Sequence, residues 1–230
     1  MSHPELSIIL PAFNEEENIG KSIKAALDLP LNCEVIVVND GSMDKTAQIV
    51  EQFLFDQPVR LIEHKVNKGY GAALRSGFDA AKGDYIFFTD SDLQFELNEL
   101  MSLWEYRNSA EIVSGYRKDR QDPNHRRFNA WAWGRLVRSL TGIKVKDINC
   151  AFKLFQGNSL KSLNFKAKGA FINTEILAKA MAKNYRIIEM PVNHYPRIAG
   201  QQTGAHPLVV LRAFWELFTV YYSITNGRKN

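Results

Sequence analysis

The sequence predicts a single α/β domain with a mostly parallel central sheet flanked by helices. Short apolar runs alternate with amphipathic helical periodicities through the N-terminal half, the pattern of successive βαβ units. A polar cluster directly follows each of the first four apolar runs. The 230 residues, 45% hydrophobic and 23% charged, are enough for one full core, and no break in composition divides them.

The elements follow in order. Leu6–Leu10 reads as the first strand, with Pro11 as its stop. Asn14 is expected to cap a helix whose first turn carries Glu15, Glu16 and Glu17 and whose Ile19, Ile23, Ala26 and Leu27 share a face. Glu34–Val38 forms a second strand ending in Asn39-Asp40-Gly41-Ser42, with a helix from about Asp44 that buries Ala47, Ile49, Val50, Phe53 and Leu54. Val59–Glu63 is a third strand, followed by Asn67-Lys68-Gly69-Tyr70-Gly71-Ala72-Ala73, whose small residues allow close approach of backbone or ligand. Tyr85–Phe88 is the fourth, delivering Thr89-Asp90-Ser91-Asp92-Leu93-Gln94. Leu97, Leu100, Met101 and Trp104 recur with helical spacing and face the core, and Glu111–Ser114 is a fifth strand.

The second half is less regular. It offers a turn at Asp122-Pro123-Asn124, a helix over Phe128–Leu140 with Trp131, Trp133, Arg135 and Arg138, and a strand over Cys150–Phe155. A helix over Asn173–Asn184 precedes two extended segments, Tyr185–Glu189 and Val192–Tyr195, joined at Met190-Pro191, and a polar loop from Arg197 to Pro207. The main domain is expected over residues 1–206. Residues 207–230 form a C-terminal amphipathic helix and tail whose polar stripe is Arg212, Glu216, Thr219 and Ser223, packed on the domain or lying at a membrane surface.

The net charge of +4 is concentrated. Between Arg117 and Arg138 stand seven basic residues against Asp119 and Asp122, an excess larger than that of the whole chain. Cys33 and Cys150 give neither a disulfide framework nor a metal-binding spacing, so reduced thiols and a cytoplasmic location are expected. The N-terminus has no signal-peptide pattern, and no apolar run reaches the roughly 18 residues of a membrane span.

Asp90 and Asp92 are hard oxygen ligands suited to Mg²⁺ or Mn²⁺, although an Asp-x-Asp pair is also common in solvated turns. Four polar clusters at successive strand ends point to a nucleotide site, because ligands of open α/β sheets bind in the crevice at those ends. Neither a Gly-x-Gly-x-x-Gly fingerprint nor a Walker A sequence is present. A nucleic-acid-binding module is the competing class. The acidic pair would repel a phosphate backbone, so no nucleic-acid partner is expected.

With these motifs the chain resembles the family-2 glycosyltransferases of GT-A fold, Rossmann-like α/β proteins, in the branch similar to dolichol-phosphate mannose synthases and polyprenyl-phosphate glycosyltransferases. The resemblance runs from about Leu6 to Gly204. It implies an inverting, metal-dependent transfer of a sugar from a GDP- or UDP-sugar to a polyprenyl phosphate at a membrane surface, by a peripherally associated enzyme. A hydroxyl acceptor on a glycan or glycolipid is the alternative.

By the same resemblance Pro11, Phe13, Glu15, Val38, Asp40, Lys68 and Ser91 hold the donor nucleotide, while Asp90, Asp92 and Gln94 hold the metal and diphosphate. Arg117, Arg126, Arg127 and Arg197 meet phosphate on the acceptor side through guanidinium forks. Asp90, Asp92, Arg117 and Asp147 are the expected catalytic set, with Asp147 the base for a hydroxyl acceptor. Asn39 stands where the family usually has Asp, and Thr203 where mannose synthases usually have Lys, so no specific sugar or acceptor is carried over.

Overall fold

A computed structural model describes residues 3–118, 134–197 and 217 of the chain. Its strands are β1 (Leu6–Ala12), β2 (Cys33–Asn39), β3 (Val59–Glu63), β4 (Tyr85–Thr89), β5 (Ile112–Arg117), β6 (Phe152–Gln156) and β7 (Ile187–Val192). Its helices are α1 (Ile19–Leu27), α2 (Thr46–Glu51), α3 (Tyr70–Ala80), α4 (Leu100–Trp104), α5 (134–141), α6 (Gly157–Lys161) and α7 (Ile172–Ala182).

The strands form one sheet in the order β3-β2-β1-β4-β6-β5-β7. Pairing is parallel except on both sides of β6, which runs antiparallel to β4 and β5. The sheet is therefore mixed but mostly parallel, as expected. Every residue of β1 and β2 is buried, the near-continuous apolar run of a strand covered on both faces. Phe78 of α3 packs against Phe88 of β4 at 5.8 Å between ring centroids, and Phe88 stacks on Phe155 of β6 at 5.9 Å. Each such fully buried side chain contributes about 1.5–3 kcal/mol.

The structure corrects several boundaries. β1 does not stop at Pro11 but continues to Ala12, pairing Pro11 with Val38, and its pairing with β4 has already ended at Ile9. A residue without an N–H is tolerated where the strand has a single neighbour. Asn14 does not cap α1. It takes a left-handed conformation, φ +55°, and its side chain accepts the Met43 N–H at 2.9 Å, so Glu15 to Glu17 precede the helix. Likewise α2 begins at Thr46 with Lys45 at its N-cap, and Asp44, one residue before it, accepts the Thr46 N–H at 3.0 Å.

β5 extends to Arg117, which places that arginine within the strand. One strand, β7, runs through the expected junction from Ile187 to Val192, with Pro191 paired to Tyr116, while residues 185–186 and 193–195 lie outside it. Among the described residues β7 pairs only with β5, and an outer strand accommodates proline. Of the helix expected over Phe128–Leu140, only the part in α5 is described. Leu217 is helical and buried, and the remainder of the expected C-terminal helix lies outside the described residues.

Candidate active site

The carboxyl ends of β1, β2 and β4 lie side by side, and they bring Glu15, Asp40, Asp90 and Asp92 to one rim of the sheet. Asp40 is buried and held by backbone. Its Oδ1 accepts the Lys68 N–H at 2.9 Å and pairs with His64 Nδ1 at 2.6 Å, while its Oδ2 accepts the Gly69 N–H at 2.8 Å. Two glycines make this possible. Gly41 (φ +74°) lies so close to the 66–67 backbone that an added Cβ would stand 2.6 Å from Asn67 N, and at Gly69 (φ +98°) a Cβ would stand 2.5 Å from Lys168 O.

At the end of β4, Asp90 Oδ1 accepts the Tyr70 hydroxyl at 2.8 Å. Asp92 accepts the Gln94 N–H at 3.2 Å, and Arg197 Nη1 lies 3.7 Å from its Oδ2. The other end of the Arg197 guanidinium pairs with Glu15 Oε1, whose second oxygen accepts Asn18 Nδ2 at 2.8 Å. One arginine thus ties the end of β1 to the end of β4. Burial first, and then the charge of Asp92, push the Asp90 carboxyl up to about 7. Burial also raises Asp92, against the opposing effects of the Gln94 N–H and Arg197.

These residues fit a divalent cation. Two neighbouring carboxylates, both raised by burial, gain when a hard cation removes the penalty on their charged forms. Among the described residues no group of three His, Cys, Asp or Glu side chains is arranged to hold a metal. An ion held by Asp90 and Asp92 would need substrate phosphates and water to complete its shell.

On the far side of β4, Arg117 and Asp147 form a bidentate pair, Nε to Oδ2 at 2.7 Å and Nη2 to Oδ1 at 2.9 Å, with both side chains largely buried. Lys153 of β6 is fully buried between this pair and Phe88. Its ammonium donates to Ile148 O at 3.2 Å, to Cys150 O, and to Asn173 Oδ1 at 3.4 Å, and burial lowers its pKa.

Several expected donor residues are placed differently from a direct ligand. Val38 is fully buried beneath α3, where a Cβ on Gly77 would meet its Cγ2 at 3.3 Å, so it belongs to the core. The Ser91 hydroxyl turns inward and donates to Pro11 O at 2.7 Å, tying the acidic loop to β1. Lys68 contributes its backbone to Asp40, and its side chain is exposed. Gln94 donates its amide to Tyr195 O at 3.0 Å, which leaves its carbonyl oxygen for a cation. Phe13 is half-buried just beyond β1, and Arg126 and Arg127 lie outside the described residues.

Three residues escaped the sequence reading: His64, Tyr70 and Lys153. Lys153 carried a usable signal, since a lysine inside the apolar run Phe152–Phe155 must find partners if the strand is buried. His64 stands directly after β3, where a ring at a strand end reaches the same crevice.

A mixed seven-stranded sheet with acidic and basic clusters along one rim defines the GT-A class of glycosyltransferase fold. The chain belongs to glycosyl transferase family 2, whose profile matches residues 7–163. Among curated relatives it is 30% identical over 206 residues to the dodecaprenyl-phosphate galacturonate synthase of Rhizobium johnstonii, covering 85% of this chain and 60% of that protein. It is also 30% identical over 204 residues to the undecaprenyl-phosphate 4-deoxy-4-formamido-L-arabinose transferase of Edwardsiella ictaluri, covering 85% and 62%. The chain thus spans about three-fifths of the length of these two relatives.

Among solved structures, glucosyl-3-phosphoglycerate synthase from Mycobacterium tuberculosis, in complex with Mn²⁺, UDP and glucosyl-3-phosphoglycerate, superposes with a TM-score of 0.72 at 20% identity. The match covers 96% of this chain and 80% of that one. TarS of S. aureus in complex with UDP-GlcNAc gives 0.68 at 18% identity, covering 96% and 66%. These likenesses establish the fold.

Proposed function

We propose that this chain transfers a sugar, with inversion, from a nucleoside diphosphate sugar to a polyprenyl phosphate at a membrane surface. The observation that carries the reading is the Asp90–Asp92 pair at the end of β4, raised by burial and faced by Arg197. Asp90 and Asp92, with the Gln94 carbonyl beside them, would hold Mg²⁺ or Mn²⁺, which supplies positive charge to the leaving diphosphate when bound. Arg197 lies where it can exchange its carboxylate partners for phosphate oxygens.

The acceptor reading rests on Asp147. Both of its oxygens already accept from Arg117, an arrangement ill suited to a general base. An anionic phosphate acceptor needs no such base, and the Arg117 fork matches it in charge and geometry. The relatives named for polyprenyl-phosphate transfer support the same acceptor class. Among the described residues no helix is long and apolar enough to cross a membrane.

The test is transfer of radiolabelled sugar from common nucleotide sugars to undecaprenyl phosphate in detergent, with Mn²⁺ and with EDTA. Label in the lipid fraction that depends on metal and is lost in Asp92→Asn supports the proposal. Metal-independent transfer would remove the role given to Asp90 and Asp92. Label found only in a hydroxyl-bearing glycan would replace the acceptor.

A further inference from the structure

Helix α3 starts without a capping side chain of its own, because its N-cap is Gly69. The first N–H groups of a helix find no partner within it. Here the Gly71 N–H donates to Lys168 O at 2.9 Å, and the Ala72 N–H, shared with Gly69 O, reaches the same carbonyl at 3.3 Å. The second half of the chain thus closes the start of a helix in the first. The approach is so close that a Cβ on Gly71 would stand 2.7 Å from both Ala167 O and Gly169 O.

Glu175 of α7 fixes the segment that makes this approach. Its carboxylate is buried, and Oε2 accepts the Lys166 N–H at 2.9 Å and the Ala167 N–H at 2.7 Å, while Oε1 pairs with Lys179 Nζ at 2.7 Å. The first residue of the helix so held is Tyr70, and its hydroxyl donates to Asp90 Oδ1 at 2.8 Å. With Oδ1 tied to the phenol, the Asp90 carboxylate cannot turn without breaking that bond.

We infer that Tyr70 is a positioning residue for the cation: by donating to Asp90 it holds that carboxylate in one orientation, and Glu175, through the Lys168 carbonyl, holds Tyr70. The inference rests on the proposed metal role of Asp90 and Asp92. A ligand already fixed before the ion arrives loses less freedom on binding it, and hydrogen-bond partners behind metal ligands are worth about tenfold to a hundredfold in affinity.

Mn²⁺ titrated into the chain with saturating UDP, or with GDP if that is the nucleotide bound, and followed by the EPR signal of the free ion, measures this without turnover. Tyr70→Phe keeps the ring and loses the donor, so Mn²⁺ should bind about tenfold to a hundredfold more weakly. Nucleotide affinity in EDTA should stay within about twofold of the wild type, since the loss falls on the ion. A merely structural role would weaken the nucleotide equally with and without metal. Glu175→Gln should weaken Mn²⁺ by about threefold in the wild type and no further in Tyr70→Phe, because it acts through the same hydroxyl.

Mn²⁺ binding to folded Tyr70→Phe as tight as to the wild type, or an equal loss of nucleotide affinity in EDTA, would overturn the inference. Additive losses in the double variant would remove Glu175 from it. If either single variant does not fold, the other decides. Failure of the wild type to bind Mn²⁺ with either nucleotide would instead sink the cation site itself, and the role of Tyr70 with it.

Discussion

The two sides of β4 hold their charged groups in different ways. On the β1–β3 side, carboxylates and amides are anchored mainly by backbone: Asp40 by Lys68 and Gly69, Asn14 by Met43, Asn39 by Ser42, Asp44 by Thr46. On the β5–β7 side, Arg117 is held by Asp147, and across the rim Arg197 is held by Glu15 and Asp92. Backbone anchors keep a group in one place whether or not a ligand is present. An ion pair holds a charge that an incoming anion can engage, at the cost of parting it from a buried carboxylate. The first side is fixed mainly by backbone, the second by pairs of charged side chains.

The sharpest break of this contrast is at the acidic pair, where the two sides meet. Asp92→Asn should reduce the proposed metal-dependent transfer by about a thousandfold, measured as kcat/KM, since it removes a proposed ion ligand and a partner of Arg197. Retention of more than a tenth of the activity would detach the pair from catalysis. Next, Arg117→Ala should lower kcat/KM for lipid phosphate by about a hundredfold, leave UDP affinity within about twofold, and destabilise the fold by removing the bidentate partner of the largely buried Asp147. A matching fall in UDP affinity would erase the division between the two sides.

Smaller again is Lys153→Met, which keeps the stem but strands the Ile148, Cys150 and Asn173 oxygens. A loss of about 1–3 kcal/mol on urea unfolding is expected. Because these contacts shape the loop that carries Asp147, the effect on activity should fall on the acceptor KM.

The smallest effect is a gain. Burial and Asp92 hold the Asp90 carboxyl up at about 7, against an ordinary 3.8. A raised acid contributes its full stability below the unfolded value and loses it as pH rises through the folded one. Asp90→Asn removes that loss while still accepting from Tyr70. Without metal, its melting temperature should exceed the wild type's by about 2–4 °C at pH 8, and the difference should close towards pH 4. A difference independent of pH would mean that the carboxylate is not the source.

Much of the β1–β5 region was legible because its signals are local. A buried parallel strand reads as an apolar run, and Asp40 and Asp90 follow such runs directly. What escaped depends on contacts between distant residues. Arg117 and Asp147 were both singled out, yet their pairing across 30 residues leaves no trace in spacing. The antiparallel insertion of β6 between β4 and β5 is equally silent, since an apolar run does not announce its direction. Pro11 was read as a stop and Met190-Pro191 as the junction of two segments, whereas both prolines sit within strands where a missing N–H is tolerated.

Pro191 has a consequence of its own. An open sheet ends in a row of unpaired amides and carbonyls, which is an invitation to the strand of another molecule. On β7 that row is interrupted by a residue with nothing to donate, and Glu189 adds a charge two positions earlier. A second chain trying to continue the sheet there would lose a ladder bond and meet a carboxylate. Among the described residues this margin is therefore poorly suited to continuing the sheet with a further strand.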